Sequence, residues 1–135
     1  MEKLTIYREL RGEDIEIKYA LTLVGKDLLL VVTGGQAHIG SVVLAQPRPS
    51  LAADKPAATS NVLNLPGHKD ELVLRQLAEE LCRLSGQTVT ALGGVHVEPF
   101  HQQLLVQVQR LNQTAIAQAS AWLQALQATA GPPQI

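Results

Sequence analysis

The 135-residue chain has a single cysteine, Cys82. That excludes an intramolecular disulfide and leaves the fold to an apolar core, as in proteins of reducing compartments. No apolar run approaches the roughly 18 residues that would span a bilayer. Met1-Glu2-Lys3-Leu4-Thr5 lacks the basic-then-apolar order of a signal peptide, so a cytoplasmic protein without a membrane partner is expected. Charge of either sign is also not in excess. Eleven Lys and Arg against twelve Asp and Glu give a formal net charge of -1, which gives nucleic acid no reason to bind. A nucleophile motif such as Gly-x-Ser-x-Gly is missing too, and Ser41 and Ser85 have no such context. At this length one domain over residues 1–135 is expected, large enough for a real core.

What the chain does have is a glycine-histidine pattern that returns twice. Gly34-Gly35-Gln36-Ala37-His38-Ile39-Gly40 is followed by Pro66-Gly67-His68-Lys69-Asp70 and by Gly93-Gly94-Val95-His96-Val97-Glu98. Glycine lets a backbone turn or approach a ligand closely, and histidine brings a metal ligand, a proton carrier or an anion donor. We expect His38, His68 and His96 to converge on one site. Three neutral imidazoles can hold a divalent transition metal with an open position. Glu98, two residues after His96, points the same way if that segment is extended. Turns at 34–35 and 93–94, and a helix start near His68, offer amide N–H groups to a phosphate, with Lys69 adding charge. The plainer reading is that a histidine beside a glycine is a hydrogen-bonded or solvated turn residue. The three are too far apart for a local metal motif, so convergence depends on the fold. His101 is read as solvated, and Asp70 and Glu71 as favourable charges at a helix start.

The elements follow from periodicity. Leu4, Ile6 and Arg8 alternate with Thr5, Tyr7 and Glu9, and Ile15, Ile17 and Tyr19 alternate with Glu16, Lys18 and Ala20, which predicts a hairpin around residues 11–14. Leu28 to Val32 is continuously apolar, as in a central strand. A further strand is predicted over residues 37–45, with His38 at its start. Residues 46–66, rich in Pro, Ala, Ser and Thr, read as an irregular, lid-like loop in which Arg48 and Lys55 are available to an anion. Leu74, Leu77, Ala78 and Leu81 stand at helical spacing, ended by Ser85-Gly86, with Cys82 on the apolar side as a small core residue. Thr88 to Leu92 reads as a short fifth strand. A long helix is predicted over residues 99–129, with an apolar stripe from Phe100 through Leu104, Val108, Leu111, Ala115, Ala119 and Trp122 to Leu126. At about 45 Å it outruns a small sheet, so packing against its copy in a homodimer is expected. The fold class is α+β: a two-layer, mostly antiparallel sheet of about five strands, one mid-chain helix and one long C-terminal helix.

The three blocks together resemble the small prenylated-flavin chaperone family, whose members accompany UbiD-type aromatic acid decarboxylases. The similarity runs from about Glu9 to about Leu111. Val95 and Glu98 stand where the family is expected to carry isoleucine and aspartate, both conservative changes. The resemblance implies a non-catalytic protein that binds prenylated FMN and assists its maturation or delivery to a UbiD-type decarboxylase. On that reading Gly34, Gly35, His38, Gly67, His68, Lys69, Gly94 and His96 form the cofactor site, and His38, His68, His96 and Glu98 form any metal site. Two other classes stay open. One is a small metal-dependent hydrolase or lyase with Glu98 or Asp70 as general base; the other is a purely structural accessory subunit acting through the long helix.

Overall fold

The computed structural model describes residues 5–49, 56–65, 71–96 and 101–129. Eight elements follow one another: β1 (Thr5–Arg11), β2 (Glu16–Val24), β3 (Asp27–Gly35), β4 (Ser41–Arg48), β5 (Ala57–Asn64), α1 (Glu71–Ser85), β6 (Val89–His96) and α2 (Gln102–Thr129).

The first three strands form an antiparallel meander, as the alternation predicts. Gly12 N–H closes the first turn on the Ile15 carbonyl at 2.7 Å. Gly25, at φ 62°, makes the two-residue turn that pairs Val24 with Asp27. Among the described residues the sheet has six strands, one more than the sequence suggests, in the order β1-β2-β3-β6-β4-β5. β6 lies parallel to β3 and antiparallel to β4, and it is longer than the predicted Thr88–Leu92 segment.

The extra strand is β5, which falls inside the stretch expected to be an irregular loop. It pairs with β4 from Ser41↔Asn64 to Arg48↔Ala57. Its inward side carries Ala58, Ser60, Val62 and Asn64, and it lies at the sheet edge, so it shows little hydrophobic alternation. Pro47 does not end β4, because β4 has lost its β6 neighbour beyond Ala45 and runs there with one partner only. Ser60 Oγ donates to Glu79 Oε1 at 2.7 Å and Asn64 Nδ2 to Glu71 Oε2 at 3.3 Å, which ties β5 to α1. Lys55 lies outside the described residues, and Arg48 is exposed at the end of β4.

Both helices pack on one face of the sheet. α1 buries Leu74, Leu77, Ala78, Leu81 and Cys82, the predicted stripe, and ends at Gly86, whose N–H bonds the Cys82 carbonyl at φ 68°. Burial pushes the Cys82 thiol up, in keeping with a core residue. α2, 28 residues or about 42 Å long, buries Leu104, Val108, Ala115, Ile116 and Ala119 within its own chain. These side chains meet Ile17, Tyr19, Leu21, Leu28, Leu30 and Val32 of β2 and β3 in one core. One polar contact crosses it. The Tyr19 hydroxyl donates to Asn112 Oδ1 at 2.6 Å, and Asn112 Nδ2 donates to Gln76 Oε1 at 3.4 Å. Sheet, α2 and α1 are thereby joined at a fully buried asparagine.

Candidate functional site

β3 and β6, the parallel pair, end side by side. Their register runs Thr33↔Gly94, Gly34↔Val95 and Gly35↔His96, so both glycine-rich ends reach the same edge of the sheet. Carboxyl ends of adjacent parallel strands are where open sheets leave a crevice. Gly93-Gly94 was expected to form a turn and instead lies inside β6, with its backbone committed to the ladder. The reason for glycine here is approach. At Gly93, with φ 135°, a Cβ would run into the Val32 carbonyl. At Gly94 it would overlap the His38 imidazole.

His38 sits in the connection between β3 and β4, since β4 begins at Ser41 and not at residue 37. Gly35, at φ 67°, turns the chain out of β3. Gly40 N–H then bonds the Gly93 carbonyl at 2.8 Å and returns the connection to β6. Within that loop His38 Nδ1 lies 2.9 Å from the Gln36 carbonyl oxygen. A carbonyl only accepts, so Nδ1 carries the proton, and in the neutral ring Nε2 has the lone pair. Nε2 is the ring atom nearest the empty Cβ position of Gly94. His96 stands beside it, with ring centroids 6.1 Å apart and planes at 87°. Two imidazoles sharing one ion at about 2.1 Å per bond hold their centroids at most roughly 6.5 Å apart, so the pair lies within that reach.

A cleft of about 520 Å³ opens beside this pair, lined by Asp14, Ile15, Glu16, Lys18, Thr33, Gly34, Gly35, Ala37 and His96. Its rim is held in place. Arg11 Nε donates to Glu16 Oε2 at 3.1 Å, and this bond holds the Glu16 carboxyl below its ordinary range. Gln107 clamps Asp14 from α2: its Oε1 accepts from the Asp14 N–H at 2.9 Å and its Nε2 donates to Oδ2 at 2.8 Å. His101 is exposed, as expected, and it also caps α2, since its Nδ1 accepts the Leu104 N–H at 3.1 Å.

Of the predicted residues, the fold brings Gly34, Gly35, His38, Gly94 and His96 together. Gly67, His68, Lys69 and Glu98 lie outside the described residues. Among the described residues no group of three or more His, Cys, Asp or Glu side chains is placed to hold a metal. Lys18 is the cationic cleft residue that sequence reasoning missed, and Asp14, Glu16 and Thr33 of the lining were missed with it. Alternation put it on the wet face of β2, a position that looks merely solvated until register sets it opposite Thr33.

The chain is similar to known proteins over most of its length. The profile of the prenylated flavin chaperone LpdD-like domain matches residues 11–124. Protein LpdD of Lactiplantibacillus plantarum is 28% identical over 122 residues, covering 88% of this chain and 85% of the relative. A chain from the crystal structure of a novel chaperone complex for yeast 20S proteasome assembly superposes with a TM-score of 0.56 at 14% identity, covering 93% of this chain and 98% of that one. At that identity the likeness is one of fold.

Proposed function

The chain belongs to the prenylated flavin chaperone LpdD-like family, and from that premise we propose that its cleft holds prenylated FMN for a UbiD-type decarboxylase without turning over a substrate itself. The observation that carries this reading is the His38 ring seated on Gly94 beside His96, at the mouth of a cleft that also presents Lys18. A flavin phosphate has an apolar plane, a polar ring edge and an anionic tail. Half-buried Val31 and Leu92 continue the strands below the cleft and suit the plane, the imidazoles suit the polar edge, and Lys18 suits the phosphate. A divalent transition metal between His38 and His96, completed by His68 and Glu98, is the ion such a donor set would take. The chemistry of decarboxylation belongs to the cofactor once it is in the decarboxylase. The chaperone's part, in the cytoplasm, is to hold the cofactor with groups that bind reversibly.

Native mass spectrometry of protein purified from cells that make the prenylated flavin tests this, because one spectrum reports organic ligand, metal and oligomer. Wild-type protein is expected to carry the flavin mass and to activate an apo-decarboxylase. H38A and H96A are expected to lose about 10- to 100-fold in affinity, the usual effect of removing a group that ligates or orients. If both variants bind as the wild type does, the histidine site is wrong.

A further inference from the structure

The cleft is a trough with unlike walls. Its floor is the end of β3, where Gly34 and Gly35 carry no side chain to fill it. His96 stands on the β6 side, paired with Gly35. On the β2 side stand Asp14, Glu16 and Lys18, all three in the lining. Glu16 and Lys18 share one face of β2 at a spacing of about 6.7 Å, and Asp14 comes just before them from the turn. With β3 between β2 and β6, the two walls are about 9.6 Å apart.

The carboxylates of the β2 wall are held from outside the cleft. Gln107 Nε2 donates to Asp14 Oδ2 at 2.8 Å, and His101 Nε2 lies 3.9 Å from the same oxygen. Arg11 directs both of its bonds to Glu16 Oε2. Gln107 and Arg11 do not line the cleft; they line a second groove, between the turn and α2. Each clamp engages one oxygen, and an ionised carboxylate accepts on both. Lys18 differs. It has Glu9 across from it on β1 but makes no ion pair with a described residue, and on its other side register sets it opposite Thr33, a hydroxyl donor in the same lining.

We propose that this wall reads the chain that joins the flavin ring to its phosphate: Asp14 and Glu16 accept hydrogen bonds from its hydroxyls, Lys18 and Thr33 take the phosphate, and Gln107 and Arg11 are positioning residues. The inference rests on the flavin reading of the cleft and deepens it by naming what the β2 wall recognises. Charge sets the direction. Arg11 offsets the charge of Glu16, whereas Asp14 is held by a neutral amide, so an anionic group is repelled at Asp14 and attracted at Lys18. Neutral donors belong at the carboxylates. A flavin without chain hydroxyls would leave these clamped acceptors covered and unpaired, which is how a polar site rejects an analogue. The ring N–H groups are a flavin's other neutral donors, and the test separates the two.

That test is an anaerobic binding titration with three probes in one redox state. They are prenylated FMN, prenylated riboflavin, which lacks the phosphate, and a prenylated flavin phosphate with hydrogen in place of each chain hydroxyl. Wild type, D14A, K18M and Q107M are compared, with circular dichroism as a check on folding. Asp14 and Lys18 are exposed, so their variants keep the core. Wild type is expected to bind prenylated FMN at least about ten-fold tighter than either analogue. D14A is expected to lose about ten-fold on prenylated FMN and nothing on the hydroxyl-free probe. K18M should lose affinity for prenylated FMN and none for prenylated riboflavin. Q107M should follow D14A, weaker on prenylated FMN alone, a pattern that a merely structural clamp does not give. If D14A loses as much on the hydroxyl-free probe, Asp14 serves the ring or the fold and the proposal is overturned. A wild type that binds the hydroxyl-free probe as tightly as prenylated FMN overturns it too, while the flavin reading stands. Wild-type protein that binds none of the three sinks both.

Discussion

At the scale of single residues, two neighbouring glycines do different work. Gly93 lets β6 press against Val32, at a φ that L side chains rarely adopt. Gly94 has an ordinary strand conformation and leaves room for a histidine that arrives from another loop. Gly93→Ala is therefore expected to destabilise the fold by about 3 kcal/mol, through backbone strain and a clash inside the sheet. Gly94→Ala is expected to melt near the wild-type temperature while flavin affinity falls about ten-fold or more, because the new methyl displaces the His38 ring. Thermal unfolding and a flavin titration on both variants check this. Equal loss of stability in the two would mean that Gly94 serves the sheet and not the site. The sequence showed glycine and histidine together but assigned the pair at 93–94 to a turn. Local pattern cannot tell a glycine needed for positive φ from one needed for a neighbour 56 residues away in the chain. Lys18 was hidden for the same reason, since only register shows what a wet-face residue stands beside.

At the scale of elements, the helices were legible and the edge strand was not. Leu74, Leu77, Ala78 and Leu81 repeat every three or four residues and are buried where that spacing puts them. β5 offers one face of small side chains and takes its place through β4 and α1, so its composition reads as loop. One link between α2 and the sheet is polar, and it carries a test. Tyr19→Phe leaves Asn112 Oδ1 buried without the hydroxyl and is expected to cost about 1–3 kcal/mol in denaturant unfolding. Burial holds the Tyr19 phenol well above its ordinary value. In the unfolded chain that phenol ionises near pH 10, while in the folded protein it keeps its proton. The native state then binds more protons, so stability is fully present below about pH 10 and falls as pH rises beyond it. Unfolding midpoints from pH 8 to 11 should decline less steeply in the Tyr19→Phe variant. Parallel declines would show that the alkaline sensitivity comes from elsewhere, exposed Tyr7 included.

At the scale of the whole molecule, β6 joins two halves that otherwise meet mainly where α1 touches α2. β1, β2 and β3 with α2 form one side; β4 and β5 with α1 form the other; β6 pairs with both β3 and β4. Sequence patterning placed a late strand in the sheet, but its insertion between two strands already made has no local signature. The pairing of Leu28 with Val89 joins positions about 60 residues apart in the chain. Such a strand should set the cooperativity of the fold, because neither half has a complete neighbour until it is in place. Hydrogen exchange is expected to show Ala91 and Leu92 amides opening only in global unfolding, with the same free energy and denaturant slope as the central amides of β3 and β4. The edge strands β1 and β5 should open at lower energy. Val89→Ala, at a fully buried position of β6, is expected to cost about 2 kcal/mol and to lower the protection of both halves equally. If the β4–β5–α1 half instead loses protection while β3 keeps it, the halves fold independently. The cleft, built from the last residues of β3 and β6, would then open without the molecule unfolding, and cofactor release would need only that local event.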